Sequence, residues 1–316
     1  MAIYSLEPLT ARQQSLISDR CGEKFVASSR DGFFIDDINY DDVTCIICRD
    51  RDDVQSVLSK CRKLKFLFVV SVGVEKLPFV QLRDRDITVC NVGGINAEIM
   101  SQYVMAYLLA ESAKVIENHR NQVNHIWKKY QTVEDVSHKV AMIFGAGRVG
   151  CLLARKLKAF GVKCVGVKRV VRPMKDFDAV VDLDDARDAI ATADYVISLL
   201  PVTPLTRGYF DKSLFSLMKN DATFVNISRS SVVKMSDLYA SLRAGEIKSA
   251  VVDVFDTEPL TADDDIWDIP NLVITPHSSG RLKNFMDEAV DLFCINYSMF
   301  RGGRNPPNKV NLQIGY

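Results

Sequence analysis

The sequence has no surplus of charge: 40 Lys and Arg residues balance 40 Asp and Glu residues. No global field therefore favours nucleic acid or an anionic membrane surface. No apolar run approaches the roughly 20 residues that a membrane-spanning helix needs. The opening stretch MAIYSLEPLTARQQ lacks a charged flank leading into an apolar core, so a signal peptide is not expected and a cytoplasmic location is. Histidine is scarce, and His119, His125, His138 and His277 stand at no metal-ligand spacing. The eight cysteines are scattered through apolar segments, as reduced core thiols would be, rather than set in a disulfide framework. Cys45 and Cys48 form a CxxC inside the strand-like VTCIICR, with no second ligand pair nearby, so a buried strand is expected there and no metal site. Internal repeats and low-complexity tracts are absent.

What is present is a chain of 316 residues, 47% hydrophobic and 25% charged, enough for one large or two ordinary globular domains. From residue 139 onward, short apolar runs (KVAMIF, KCVGV, AVVDL, YVISLL, TFVNIS, AVVDVF, LVIT) alternate with helix-like stretches such as VGCLLARKLKAF and MSDLYASLRAGE. The runs are apolar throughout, which suits a parallel sheet covered on both faces, and the repeated strand–helix unit predicts a doubly wound α/β domain. The first ninety residues carry a weaker form of the same rhythm in CIICR, KFLFVVSVG and ITVCNV, with RDDVQSVLSKCRKL as a helix between, so a second, smaller α/β domain is expected. From Asn96, NAEIMSQYVMAYLLAESAKVIENHRNQ predicts one long helix leading into the central domain. The segment FMDEAVDLFCINYSMFRGG predicts a helix returning to the first domain, followed by an irregular tail. The expected domains are residues 1–95 with 284–316, and residues 96–283.

GAGRVG, Gly145 to Gly150, follows a predicted strand and opens a predicted helix. A lone GxGxxG is a weak signal, but this one has the strand–turn–helix context that dinucleotide binding needs. Gly145 permits the tight turn, Gly147 lets the backbone approach a pyrophosphate, and Gly150 lets helix and strand pack closely. The N–H groups that open the helix, around Arg148 and Val149, would receive the phosphate charge. An acidic residue about 20 positions on would bind the ribose 2′-hydroxyl of NAD. Here CVGVKRVVRP puts Lys168 and Arg169 at that place, with Arg172 close by and the nearest acid, Asp176, beyond Pro173. Cations suit a 2′-phosphate, so NADP(H) is the preferred cofactor, with NAD(H) usable; a solvated basic loop is the plainer alternative.

Three segments stand at predicted strand ends, where open α/β sheets bind ligands. VNISRSS carries Arg229, VVDVFDTEPL carries Asp253 and Glu258, and VITPHSSG carries His277. Taken singly, each has an ordinary reading as a solvated cation, a turn residue or a surface imidazole. Together, in this order and behind a dinucleotide loop, they resemble the D-isomer-specific 2-hydroxyacid dehydrogenases, over nearly the whole chain and nearest to the short glyoxylate/hydroxypyruvate reductases. SVGVEKLP is similar to the family's Gly-rich loop, NVGGINAEIMSQYVMAYLL to its link into the interdomain helix, and LLPVTPLTRGYF to a loop that passes the cofactor. Two positions depart from the pattern: Ser230 replaces the usual Gly after the catalytic Arg, and Glu75 the usual Asp after GV.

The resemblance implies a Rossmann-type dinucleotide-binding domain and a smaller, flavodoxin-like substrate domain. It implies reduction of a small 2-oxo acid to the D-2-hydroxy acid, with hydride from nicotinamide and a proton from His277. Histidine changes protonation near neutral pH, which suits the donor role, and Glu258 would orient the ring. Arg229 would grip the substrate carboxylate or carbonyl oxygen, since its planar fork suits bidentate binding. The backbone N–H groups of Val72, Gly73 and Val74 would share the carboxylate, and Asp253 would contact the carboxamide side of the cofactor. Leu200, Pro201, Thr206, Ile227, Ser228, Arg229 and His277 would also line the cofactor. Formate dehydrogenases of the superfamily transfer no proton and use no such His–Glu pair, so a 2-oxo acid is favoured over formate. A chain of this length is expected to lack the added regulatory domain of phosphoglycerate dehydrogenases. The long helix with NHIWKKY after it resembles a dimerisation arm, which implies a homodimer, with Trp127 either reaching the partner's active site or lying in ordinary core. A cofactor-sensing co-repressor or scaffold of the same fold is the alternative from a different class, on fold analogy alone.

Overall fold

The computed structural model describes residues 2–27, 39–50 and 52–314. Arg51, at the start of one predicted helix, and the last two residues of the tail lie outside the described residues. The chain divides into two compact units, residues 1–95 with 282–316, and residues 96–281.

The first unit begins β1 (Ala2–Ser5), α1 (Ala11–Cys21), β2 (Lys24–Ala27), β3 (Val43–Cys48), α2 (Val54–Lys60), β4 (Phe66–Val69), α3 (Phe79–Asp84) and β5 (Thr88–Asn91). Among the described residues its sheet has five parallel strands in the order β2-β1-β3-β4-β5, the flavodoxin-like order. Successive residues of β4 alternate between two cores, Leu67 and Val69 on one face and Phe66 and Phe68 on the other. The same alternation puts Cys45 and Cys48 on opposite faces of the sheet, so the CxxC cannot close on one metal. Burial pushes both thiols well above their ordinary value. The helix α1 starts at a reciprocal capping box between Thr10 and Gln13. The strands β1 (AIYS) and β2 (KFVA) were not marked by the apolar pattern.

The second unit holds α4 (Ala97–Ser112), α5 (Val115–Val123), β6 (Val140–Phe144), α6 (Arg148–Ala159), β7 (Lys163–Val167), β8 (Ala179–Val181), α7 (Leu183–Ala189), β9 (Tyr195–Ser198), α8 (Lys212–Phe215), β10 (Thr223–Asn226), α9 (Met235–Ala244), β11 (Ser249–Val252) and β12 (Leu272–Ile274). Its seven strands are parallel in the order β12-β11-β10-β9-β6-β7-β8. The chain runs outward from β6 through β7 and β8, then crosses to β9 on the other side, so the topological switch point lies beside β6. Met142 and Phe144 enter one core and Ala141 and Ile143 the other, which is why β6 is apolar throughout.

The single helix expected from Asn96 is two helices. Lys114 takes a left-handed φ of 56° and breaks the run. α4 buries Ala97, Ser101, Val104, Met105 and Leu108, whereas α5 buries none of its residues. Packing therefore holds the helix only as far as Ser112, and no Gly or Pro marks the break. The returning helix, α10 (Phe285–Arg301), belongs to the first unit. It packs on α1, where Gln13 Nε2 donates to Asp287 Oδ1 at 2.7 Å and Arg20 pairs with Asp291, and it sends Phe293 and Tyr297 against Phe66.

Candidate active site

Within the second unit, every motif singled out in the sequence leaves the sheet at the carboxyl ends of its strands. The glycine loop follows β6. Gly145 has a φ of 108°, and a Cβ there would stand 2.7 Å from the Leu199 carbonyl oxygen. Its N–H and that of Ala146 donate to Val167 O at 3.0 and 3.1 Å, tying the turn to the end of β7. A Cβ at Gly150 would meet Gly145 O at 2.4 Å, so helix and loop touch where only glycine fits. At Gly147, by contrast, a Cβ would meet nothing within 4 Å, and the helix that starts there has no side-chain cap. Open space over a glycine and a helix start without a side-chain cap fit a pyrophosphate.

Past β7, the Lys168 N–H donates to Val181 O at 2.9 Å, which fixes the base of the basic loop. Lys168 is half-buried and Arg169 exposed. The acids that follow are committed elsewhere. Asp176 pairs with Arg155 at 3.2 Å, and Asp178 takes the Cys164 N–H at 2.8 Å and Lys158 Nζ at 2.7 Å. The Cys164 amide, then Lys158, hold the Asp178 carboxyl below the usual carboxylate range. After β9, Thr206 Oγ1 accepts from Thr203 N at 2.8 Å and donates to Pro201 O at 2.7 Å, closing the 201–206 loop on itself. Leu200 and Thr206 are buried.

Arg229, Asp253, Glu258 and His277 come from three strands that lie side by side, β10, β11 and β12, with Asn226 level with Val252 and Val252 level with Ile274. Buried Asn226, at the end of β10, builds the Arg229 turn. Its Oδ1 accepts from Ser228 N at 3.1 Å and Ser228 Oγ at 2.8 Å, and its Nδ2 donates to Arg229 O at 3.1 Å. Ile227 and Ser228 are buried with it. Glu258 is held from both sides, with Oε1 accepting the Phe255 N–H and Oε2 meeting His277 Nδ1, each at 2.8 Å. Since Glu258 occupies Nδ1, the nitrogen left for chemistry is Nε2. His277 is 52% exposed in its side chain and sits at a left-handed φ of 49°. Arg281 Nε donates to its carbonyl at 3.1 Å. Asp253 has no exposed surface and accepts from Thr275 Oγ1 at 2.6 Å, Ser278 N at 2.9 Å and Ser279 N at 3.0 Å. Tyr103 Oη on α4 lies 2.9 Å from Ser278 Oγ.

Sequence reasoning missed Asn226, Thr275 and Tyr103. A polar residue closing an apolar strand was the only signal for the first, and none marked the others. Val72, Gly73 and Val74 lie in the first unit, where Asn91 Nδ2 donates to Val72 O at 2.8 Å and Ser71 Oγ to Gly73 O at 2.9 Å, so side chains brace the loop through its carbonyls. A cavity of about 300 Å³ lies at the other end of the second unit's strands, bordered by Glu111, Lys114, Lys248 and Asn271, away from Arg229 and His277.

Residues 105–279 match the family described as "D-isomer specific 2-hydroxyacid dehydrogenase, NAD binding domain". The chain is 30% identical over 239 residues to the glyoxylate reductase/hydroxypyruvate reductase of Mus musculus, covering 73% of each chain. It is 28% identical over 260 residues to the D-3-phosphoglycerate dehydrogenase of Mycobacterium leprae, covering 82% of this chain but only 49% of that one, about half its length. Among solved structures, a D-isomer specific 2-hydroxyacid dehydrogenase family protein from Aeromonas salmonicida superposes with a TM-score of 0.83 at 28% identity, covering 98% of this chain and 99% of the other. The glycine loop at the switch point, the strand-end Arg, Glu and His, and these matches agree: the chain belongs to the D-isomer specific 2-hydroxyacid dehydrogenase family.

Proposed function

We propose that this protein reduces a small 2-oxo acid, of the glyoxylate or hydroxypyruvate kind, to the D-2-hydroxy acid, with NADPH preferred over NADH. The observation that carries this reading is the Glu258–His277 pair at 2.8 Å, beyond the ends of β11 and β12, with β11 adjacent to β10, the strand that presents Arg229. A family member that moved hydride without a proton would have no use for such a pair.

Gly145, Gly147, Arg148, Val149 and Gly150 would hold the dinucleotide's pyrophosphate, and Lys168 and Arg169 its 2′-phosphate. When bound, the dinucleotide supplies a hydride. Arg229 grips the substrate carboxylate or carbonyl oxygen and places positive charge where the carbonyl oxygen becomes negative. His277 holds the proton at Nε2 and delivers it to that oxygen, while Glu258 at Nδ1 fixes the plane of the ring. The working form is a homodimer.

The test is a panel of 2-oxo acids assayed with NADPH and with NADH. The expected result is turnover of glyoxylate or hydroxypyruvate, faster with NADPH, and a kcat at least about 100-fold lower in His277→Ala, as loss of a general acid entails. No turnover across the panel, or a His277→Ala protein of normal activity, would overturn the reading.

A further inference from the structure

We propose that Cys21 and Cys294 form a site of reversible oxidation, at which a hydroperoxide converts the two thiols to a disulfide linking α1 to α10. Both residues lie in the first unit, one on each of the two chain segments that build it. Cys21 is the last residue of α1, and Cys294 lies midway along α10. Polar contacts set the register between these helices. Gln13 Nε2 donates to Asp287 Oδ1 at 2.7 Å, and Arg20 pairs with Asp291. Glu23, just past α1, accepts from Tyr297 Oη at 2.8 Å and pairs with Arg301. Cys21 stands between Arg20 and Glu23, and Cys294 stands three residues from both Asp291 and Tyr297, so the same register brings the two sulfurs together. The thiols hydrogen-bond to each other. Cys294 is 3% exposed, whereas Cys21 is only partly buried. Cys45, a further sulfur on this face, is fully buried and acts on Cys21 through charge alone.

The pair is polarised in the direction that this chemistry needs. The Cys21 hydrogen bond, with help from Arg20, lowers the Cys294 thiol below its ordinary value although burial opposes it. The same bond, then burial, raises Cys21 well above its own. The thiolate is the nucleophile in such oxidations, so Cys294 attacks first. Its sulfur bonds to one oxygen of hydrogen peroxide as the O–O bond breaks, which leaves Cys294 as the sulfenic acid and, with the thiol proton, releases one water. The Cys21 sulfur then attacks the sulfenic sulfur. An S–S bond forms, the S–O bond breaks, and the hydroxyl leaves with the Cys21 proton as a second water. Two thiols are oxidised and one peroxide is reduced to two waters. The link closes a loop over most of the chain, which restricts the unfolded state.

The test treats the full chain with hydrogen peroxide, alkylates the remaining thiols and maps tryptic peptides by mass spectrometry without reduction. Peroxide is raised until Cys151, which is partly exposed, is oxidised, so that exposure to oxidant is assured. The expected product joins the peptides Cys21–Lys24 and Asn284–Arg301, each holding one cysteine, at a mass two hydrogens below their sum. It should form before Cys151 is half oxidised, and dithiothreitol should abolish it and return both thiols to alkylation. The linked protein should melt at a higher temperature than the reduced one. Cys21→Ser should show no such rise on treatment, and its Cys294 should instead be trapped by dimedone as the sulfenic acid. Oxidised Cys151 without the linked peptides would overturn the proposal, as would a link from Cys21 to Cys45 or between two chains. A link that lowers the melting temperature would overturn the claim that the helices already hold the sulfurs at bonding distance. If Cys21→Ser does not fold, the peptide map of the unaltered chain decides alone.

Discussion

Lys168 and Arg169 stand at the end of β7, one strand from the glycine loop, where a ribose-binding acid would stand in an NAD-preferring relative. With Asp176 and Asp178 already bound by Arg155 and Lys158, no carboxylate of that loop replaces them. Each charged hydrogen bond to a 2′-phosphate is worth about 1.5–3 kcal/mol, and a factor of ten costs about 1.4 kcal/mol. Each contact would thus favour NADPH by roughly 10- to 150-fold, and two would not simply add because they share one phosphate. Lys168→Asp with Arg169→Ala should lower kcat/KM for NADPH sharply, mostly through KM, since the 2′-phosphate contributes uniform binding far from the hydride. NADH use should hold or improve. Steady-state kinetics with both cofactors checks this, and an unaltered protein that prefers NADH would mark these cations as solvated surface. At this scale the residues of the candidate site were legible because Arg229, Glu258 and His277 each follow an apolar run in a recognisable motif. Asn226 and Thr275 were not, because a sequence does not show where the lone pairs of Asp253 or the amide of Asn226 are spent.

Elements were legible where burial on both faces left apolar runs, as in β6, β9, β10 and β11, whereas the polar contacts that tie such strands together were not. Asp194 is such a contact. It precedes β9, is buried, and accepts from the N–H of Val140 at the start of β6 at 2.7 Å and from Lys219 Nζ at 3.0 Å. Burial pushes its carboxyl up, but the Val140 amide, then Lys219 and Lys139, outweigh burial and hold it below the usual carboxylate range. A carboxyl lowered on folding stabilises the fold at pH values above its unfolded value, near 3.9. That contribution is lost as pH falls through the folded value. Asp194→Asn should therefore cost about 1–3 kcal/mol at neutral pH, the range for orphaning a buried partner. The gap to the unaltered protein should narrow as the pH drops below about 4. Denaturant titrations across that range measure it, and a gap that stays constant would show that the charge of Asp194 contributes nothing. The break between α4 and α5 is the opposite lesson. Periodicity runs through Lys114 unchanged, and only the end of packing after Ser112 stops the helix.

For the whole molecule, the segment after that break is the part least explained by one chain alone. α5 spans nine residues, Val115–Val123, and buries none of them. Isolated helices shorter than about 12–15 residues are marginal in water, so packing has to come from elsewhere. Trp127 is 92% exposed and Tyr130 85%, with Val123, Ile126 and Val133 exposed beside them in sequence. Trp127 is therefore not core of this chain, and the reading in which it meets a partner is the one put to the test. Large aromatics at such exposure are what an interface buries, and a second copy would bury the same segment twice through a two-fold axis. The expected outcome is a dimer by sedimentation equilibrium, with a melting temperature that rises with protein concentration. Trp127→Ser with Tyr130→Ser should shift the protein toward monomer and remove that concentration dependence. The change should leave the Glu258–His277 pair itself intact, since neither residue touches it. A monomer that is stable, fully active and unaffected by the double substitution would rule the dimer out.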